Sequence, residues 1–198
     1  MSRSLLLRFP LGIMLLAGLA TFTSCLESTH PVTDAKQGGR DKALCGAWKY
    51  KDKDGTLWLL QLGFLDGNFK ASWMGCTFAT INGTEHESSF SPCFISRVAG
   101  VNYLSLASDI DMSKNQISQD ASLLERIQQF SILKYEIQDG TLILTTADDS
   151  FLNKAIATKA IKGVATSVTA DSEDLASFLE KNHQQVFPAK NSVRFSSL

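Results

Sequence analysis

The chain has 198 residues, 44% apolar and 20% charged, an ordinary globular composition that excludes a disordered or collagen-like polymer. Nineteen basic against twenty acidic side chains leave a net charge of −1 with no long block of one sign. That excludes the basic footprint a nucleic-acid partner needs.

In chain order, Arg3 and Arg8 precede an apolar stretch from Leu11 to Ala20 and a small polar run, Thr21 to Ser24. A basic start, a short apolar middle and a small-residue exit predict a signal peptide over 1–24. The apolar stretch falls short of the roughly 20 residues a spanning helix needs. Phe22-Thr23-Ser24-Cys25 resembles the lipobox of bacterial lipoproteins. The resemblance implies that Cys25 becomes the N-terminus and carries diacylglycerol and palmitate-type acyl chains. Leu26, where an inner-membrane retention signal has Asp, points by the same resemblance to the outer membrane, facing the periplasm. Gly18-Leu19-Ala20 offers a second, small-x-small cleavage site, which would leave a soluble periplasmic or secreted chain that keeps Cys25. Removing 1–24 takes away two arginines and no acid, lowering the charge from −1 to −3. On that net charge, the partner membrane is held through the N-terminal acyl chains alone.

Residues 25–43 are polar and turn-rich, with no apolar periodicity, and predict a flexible tether. Short strands follow at Gly46 to Tyr50, Leu57 to Phe64 and Phe69 to Trp73, separated by Asp54-Gly55 and Asp66-Gly67 turns. Further strands are expected at Thr77 to Ile81, Cys93 to Val98, Tyr103 to Ala107, Ile132 to Ile137 and Leu142 to Thr146. Asn82 to Ser89 is expected as a polar loop and Asp139-Gly140 as a tight turn. Apolar and polar residues alternate, as in half-buried antiparallel strands. The fold class is therefore mainly β: an antiparallel meander of about eight strands forming a small barrel or half-barrel, with one or two C-terminal helices. The domain is expected over 44–188. Its insertion, 108–130, holds a short helix capped by Asp120. Helices are expected near 150–161 and 172–187, with a strand from Val164 to Val168 between them. The tail, 189–198, is expected to be loose.

If Cys25 is acylated, Cys45, Cys76 and Cys93 remain. A two-residue Asn82-Gly83 turn would set Cys76 opposite Ser89, too far from Cys93 to bridge. A loop covering Asn82 to Glu87 would set Cys76 opposite Cys93, and a Cys76 to Cys93 disulfide is expected, with Cys45 to Cys76 as the alternative. His30, His86 and His183 form no metal-ligand spacing, and neither a metal nor a cofactor is expected. Asp52-Lys53-Asp54-Gly55 opens like a calcium loop but lacks the later acids, and reads as a turn. No nucleophile elbow, phosphate loop or dinucleotide fingerprint occurs, so a non-enzymatic protein is expected.

Trp48, Trp58, Trp73, Phe69 and Tyr103 fall on strands and are candidates to line a barrel interior. Gly46-Ala47-Trp48 on the first strand resembles the Gly-x-Trp signature of lipocalins. That resemblance implies an eight-stranded up-and-down barrel that carries a small apolar molecule. The alternative is a filled β core acting as a structural or inhibitory module on an envelope protein partner. Either form is expected to be a monomer.

Overall fold

The computed structural model describes residues 25–34, 38–65, 73–110 and 126–198. The signal peptide expected over 1–24, the Asp66-Gly67 turn, the strand expected from Phe69 to Trp73 except Trp73 itself, which is not in a strand, and the helix expected after Asp120 lie outside these residues.

Eight antiparallel strands close into a barrel. They are β2 (Gly46–Lys51), β3 (Leu57–Phe64), β4 (Met74–Asn82), β5 (Glu85–Val98), β6 (Val101–Ile110), β7 (Ile127–Gln138), β8 (Thr141–Thr145) and β11 (Ser192–Ser197). β2 to β8 each pair with the next in sequence, and β11 fits between β8 and β2. The alternation read in the sequence appears as inward and outward side chains. Trp58, Leu60 and Leu62 face in from β3, opposite Thr80, Phe78 and Cys76 of β4.

Three tight turns fix the register. Ala99-Gly100 and Asp139-Gly140 both have positive φ at each residue, as a two-residue I′ hairpin requires. The β4–β5 loop is Gly83-Thr84, because Asn82 pairs with Glu85 and Gly83 takes φ 61°. The broad Asn82 to Ser89 loop is therefore a continuous hairpin. A glycine at the first central position of a two-residue turn lets both strands run to the tip.

Residues 25–34 and 38–43, the described part of the segment expected as a tether, are not free. β1 (Leu26–Ser28) pairs antiparallel with β7 and parallel with β10 (Ser167–Val168), and Leu26, Ser28 and Val32 are fully buried. A 3-10 turn, Lys42–Leu44, precedes β2. The expected strand from Val164 to Val168 is instead a small hairpin, β9 (Gly163–Val164) with β10, turning at Ala165 with φ 53°. The tail is likewise ordered, since β11 completes the barrel and Phe195 on it is fully buried. Three of its apolar-polar steps suffice once β8 and β2 offer open edges on both sides.

Helices α1 (Asp149–Ala157) and α2 (Ser172–Val186) sit where expected and carry aspartate N-caps. Asp148 accepts from Phe151 N, and Asp171 accepts from Asp174 N. Both helices pack outside the barrel, in a layer that joins Leu152, Leu175, Phe178 and Leu179 to Phe94, Tyr103, Phe130 and Ile132 of the wall. The lumen is left to its own side chains, which form a second core.

Candidate functional site: the barrel lumen and its mouth

Each inward position is set by pleat and register, so the lumen can be followed strand by strand. At one end, the Lys42–Leu44 turn plugs the barrel with fully buried Leu44. Trp48 Nε1 donates to Leu44 O at 3.0 Å, and Tyr135 OH donates to Asp41 Oδ2 at 3.0 Å. Asp41 also caps the plug by accepting from Ala43 N. The Arg40 guanidinium lies 5.0 Å over the Phe64 ring at the same end. Above the plug, Met74, Cys93, Leu104, Leu142 and Phe195 are fully buried. This half of the lumen is solid core.

The opposite end carries the β2–β3 and β4–β5 turns. Tyr50, Phe78, Leu106 and Val193 are half-buried there, around a buried Trp58. Trp58 meets Phe78 with ring centroids 5.3 Å apart. Its Nε1 donates to Asp52 Oδ2 at 3.0 Å, while Asp52 Oδ1 accepts from Asp54 N and Thr56 N. The Trp58 hydrogen bond, helped by these backbone donors and opposed by slight burial, holds the Asp52 carboxyl below its ordinary range. Both of its oxygens are engaged in the turn. Among the described residues no segment plugs this end as Leu44 plugs the other.

The expected lining residues divide. Trp48 and Trp58 face the lumen, at the floor and the mouth respectively. Trp73 and Tyr103 do not: both belong to the outer layer beneath the helices, Trp73 edge-on to Phe94 and Tyr103 against Phe187. Strand parity is the reason. Met74 and Leu104 take the inward positions, which turns their neighbours Trp73 and Tyr103 outward. Trp73 Nε1, Tyr103 OH and Ser105 Oγ are buried without a hydrogen-bond partner, and burial raises the Tyr103 hydroxyl's pKa. Tyr50 was not among the expected residues. Its signal is present, since a residue two places after Trp48 on one strand shares its face.

No disulfide joins the described cysteines. The Gly83-Thr84 turn sets Cys76 opposite Ser91 and Cys93 opposite Met74. The two thiols share the inner face but lie two residues out of register, midway between the two arrangements weighed from sequence. Burial pushes Cys76 up to about 12, and burial followed by the nearby Cys76 raises Cys93 well above its ordinary value. Cys45 is half-buried beside the plug, its thiol raised by burial and then by Asp41. Cys25 immediately precedes β1, and burial, then Glu27 and Asp149, push it up to about 12.

A separate groove of about 710 Å³ runs between His30–Asp34 and the start of α2. Asp34, Asp171, Glu173 and Glu180 rim it, over Val32, Val98 and Ala176. No group of three or more histidine, cysteine or acidic side chains among the described residues is placed to hold a metal ion. No described helix is long and apolar enough to cross a membrane. Comparison with protein-family models, with curated proteins and with solved structures finds no match to this chain.

Proposed function

We propose that this is a non-enzymatic, lipid-anchored envelope protein, acylated at Cys25, whose lipocalin-like barrel takes a small apolar molecule at its mouth. The outer membrane, facing the periplasm, is its place in this reading. The asymmetry of the lumen is what supports it. One end is stoppered by Leu44, whereas the other ends in the half-buried ring of Tyr50, Phe78, Leu106 and Val193 over Trp58. Apolar walls with a few fixed polar groups are the usual make-up of a small-ligand site. The volume on offer is shallow, because the lower lumen is filled, so the ligand is expected to enter by one end only.

Three tryptophans in three settings, Trp48 at the lumen floor, Trp58 at its mouth and Trp73 in the outer layer, make the test specific. Titrating a medium-chain fatty acid should change the fluorescence of the wild-type protein and of the Trp48→Phe and Trp73→Phe variants. The change should vanish in Trp58→Phe. No response in any form up to the solubility limit of the fatty acid would exclude the carrier.

The acidic groove favours a second reading, a structural or inhibitory module for an envelope protein. Its four carboxylates and apolar floor suit a basic, amphipathic partner segment. Crosslinking in cells would then capture a partner that is lost on Glu173→Lys/Glu180→Lys substitution.

A further inference from the structure

Lys154, Lys159 and Lys162 lie in a run from Ser150 to Ala170 that contains no acidic residue, although the chain as a whole is acidic. All three are exposed, and none has an ion-pair partner among the described residues. The run forms the exposed end of α1 and the β9–β10 hairpin. Gly163 packs so closely on α1 that an added Cβ would stand 2.8 Å from Ile156 Cδ1, so helix end and hairpin form one continuous surface. At the hairpin, Val164 is 70% exposed, the most exposed large apolar side chain among the described residues.

This surface lies beside the acylation site. β1 runs parallel to β10 with Glu27 level with Ser167, so Cys25, two residues before Glu27, lies toward the Ala165–Thr166 turn that follows Val164. β1 starts at Leu26 and is hydrogen-bonded on both sides, so no slack separates Cys25 from the domain. Chains leaving Cys25 into a bilayer therefore draw the neighbouring hairpin to the headgroups.

We propose that the end of α1 and the β9–β10 hairpin form a membrane-docking face, with Val164 entering the interface and Lys154, Lys159 and Lys162 meeting anionic headgroups. This deepens the lipid-anchor reading and rests on it. Local charge segregation accounts for an attraction that a net charge of −3 conceals. An exposed aliphatic side chain flanked by lysines is the combination that interfacial binding uses.

For the test, the full chain is matured in cells, extracted in detergent and reconstituted into vesicles. A polarity-sensitive fluorophore is placed at Val164→Cys, or at Thr84→Cys on the distant β4–β5 turn, in a Cys45→Ser background. In phosphatidylethanolamine–phosphatidylglycerol vesicles the probe at 164 should shift to the blue and the probe at 84 should not. In phosphatidylcholine vesicles the shift at 164 should shrink. Lys154→Gln/Lys159→Gln/Lys162→Gln should weaken the docked state on the order of 100-fold, at about a factor of five per lysine. The mass of the extracted protein separates the two ideas. An acylated protein whose probe at 164 stays in water overturns the docking face and leaves the anchor standing. A protein without acyl mass on Cys25 overturns both.

Discussion

Two buried tyrosines on neighbouring strands show how placement decides what a hydroxyl contributes. Tyr135 faces the lumen and donates to Asp41 Oδ2 at 3.0 Å, holding the plug, whereas Tyr103 faces outward and its hydroxyl has no partner. Tyr135→Phe should therefore cost about 1–2 kcal/mol in urea unfolding, because it removes a part-buried hydrogen bond to a carboxylate that anchors the plug. Tyr103→Phe removes only a desolvation penalty and should be neutral or stabilising by up to about 1 kcal/mol. Equal losses at both positions would contradict the assignment of the two layers. Cys76 gives a pH dependence of defined sign. Burial raises its folded-state pKa from 9.0 to about 12, so its neutral thiol favours the folded chain. That contribution is fully present below pH 9 and is lost as pH rises through about 12, because the unfolded chain releases its proton first. Unfolding free energy measured between pH 8 and pH 11 should fall with a slope approaching about 1.4 kcal/mol per pH unit for this group. Cys76→Ala should be less stable at pH 8 but fall more gently with pH.

At the scale of elements, the β4–β5 hairpin depends on one residue. Gly83 holds φ 61°, and a β-branched side chain there would be strained by about 1–2 kcal/mol. Gly83→Val should lower the unfolding midpoint accordingly, while Thr84→Val, at the other turn position, should change it little. The same turn marks the limit of what could be read from the chain. Strand β3 was legible to the residue, and most others to within a few residues, because alternation over five or more positions has one periodic explanation. Register was not, because Asn82-Gly83-Thr84 allows more than one two-residue loop, and a shift of one residue moves each cross-strand partner by two. Strand parity on β6 was equally open. Val101-Asn102-Tyr103-Leu104-Ser105-Leu106 puts apolar residues on both faces, and only the helices packed outside explain why both are needed. β1 and β11 escaped notice for a different reason. Leu26, Val32 and Phe195 are isolated apolar residues in polar surroundings, and they are buried by partners distant in the chain: Leu26 pairs with Ile132 and Phe195 with Leu142. Of the candidate site, the lumen position of Trp48 and Trp58 was legible from the strands that carry them, whereas the plug was not. A three-residue turn carries no periodicity.

Closure is a property of the whole molecule, and it links the two ends of the described chain. β11 pairs Ser192–Ser196 with Thr145–Thr141 and Ser196–Ser197 with Lys49–Trp48. The barrel therefore cannot form until the last residues return to the first barrel strand, a long-range pairing that carries a high entropic barrier and slows folding. Phe195 enters the same lumen as Trp48, Leu142 and Leu144, and lies 5.7 Å from the Tyr50 ring. Removing residues 192–198 would thus do more than trim an end. It would open β2 and β8 as adjacent unpaired edges and leave a void where an aromatic side chain packed, and a buried Phe→Ala change alone costs about 3–5 kcal/mol. The truncated chain is expected to lose its cooperative thermal transition, bind a hydrophobic dye and self-associate through the exposed edges. Phe195→Ala, with the backbone of β11 intact, should unfold cooperatively at a lower temperature and show no self-association beyond that of the unaltered chain. A truncated chain that unfolds cooperatively near the wild-type temperature would mean that the seven-stranded remainder is self-sufficient and that β11 only decorates it. The contrast between the two variants separates what strand closure contributes from what the Phe195 side chain contributes.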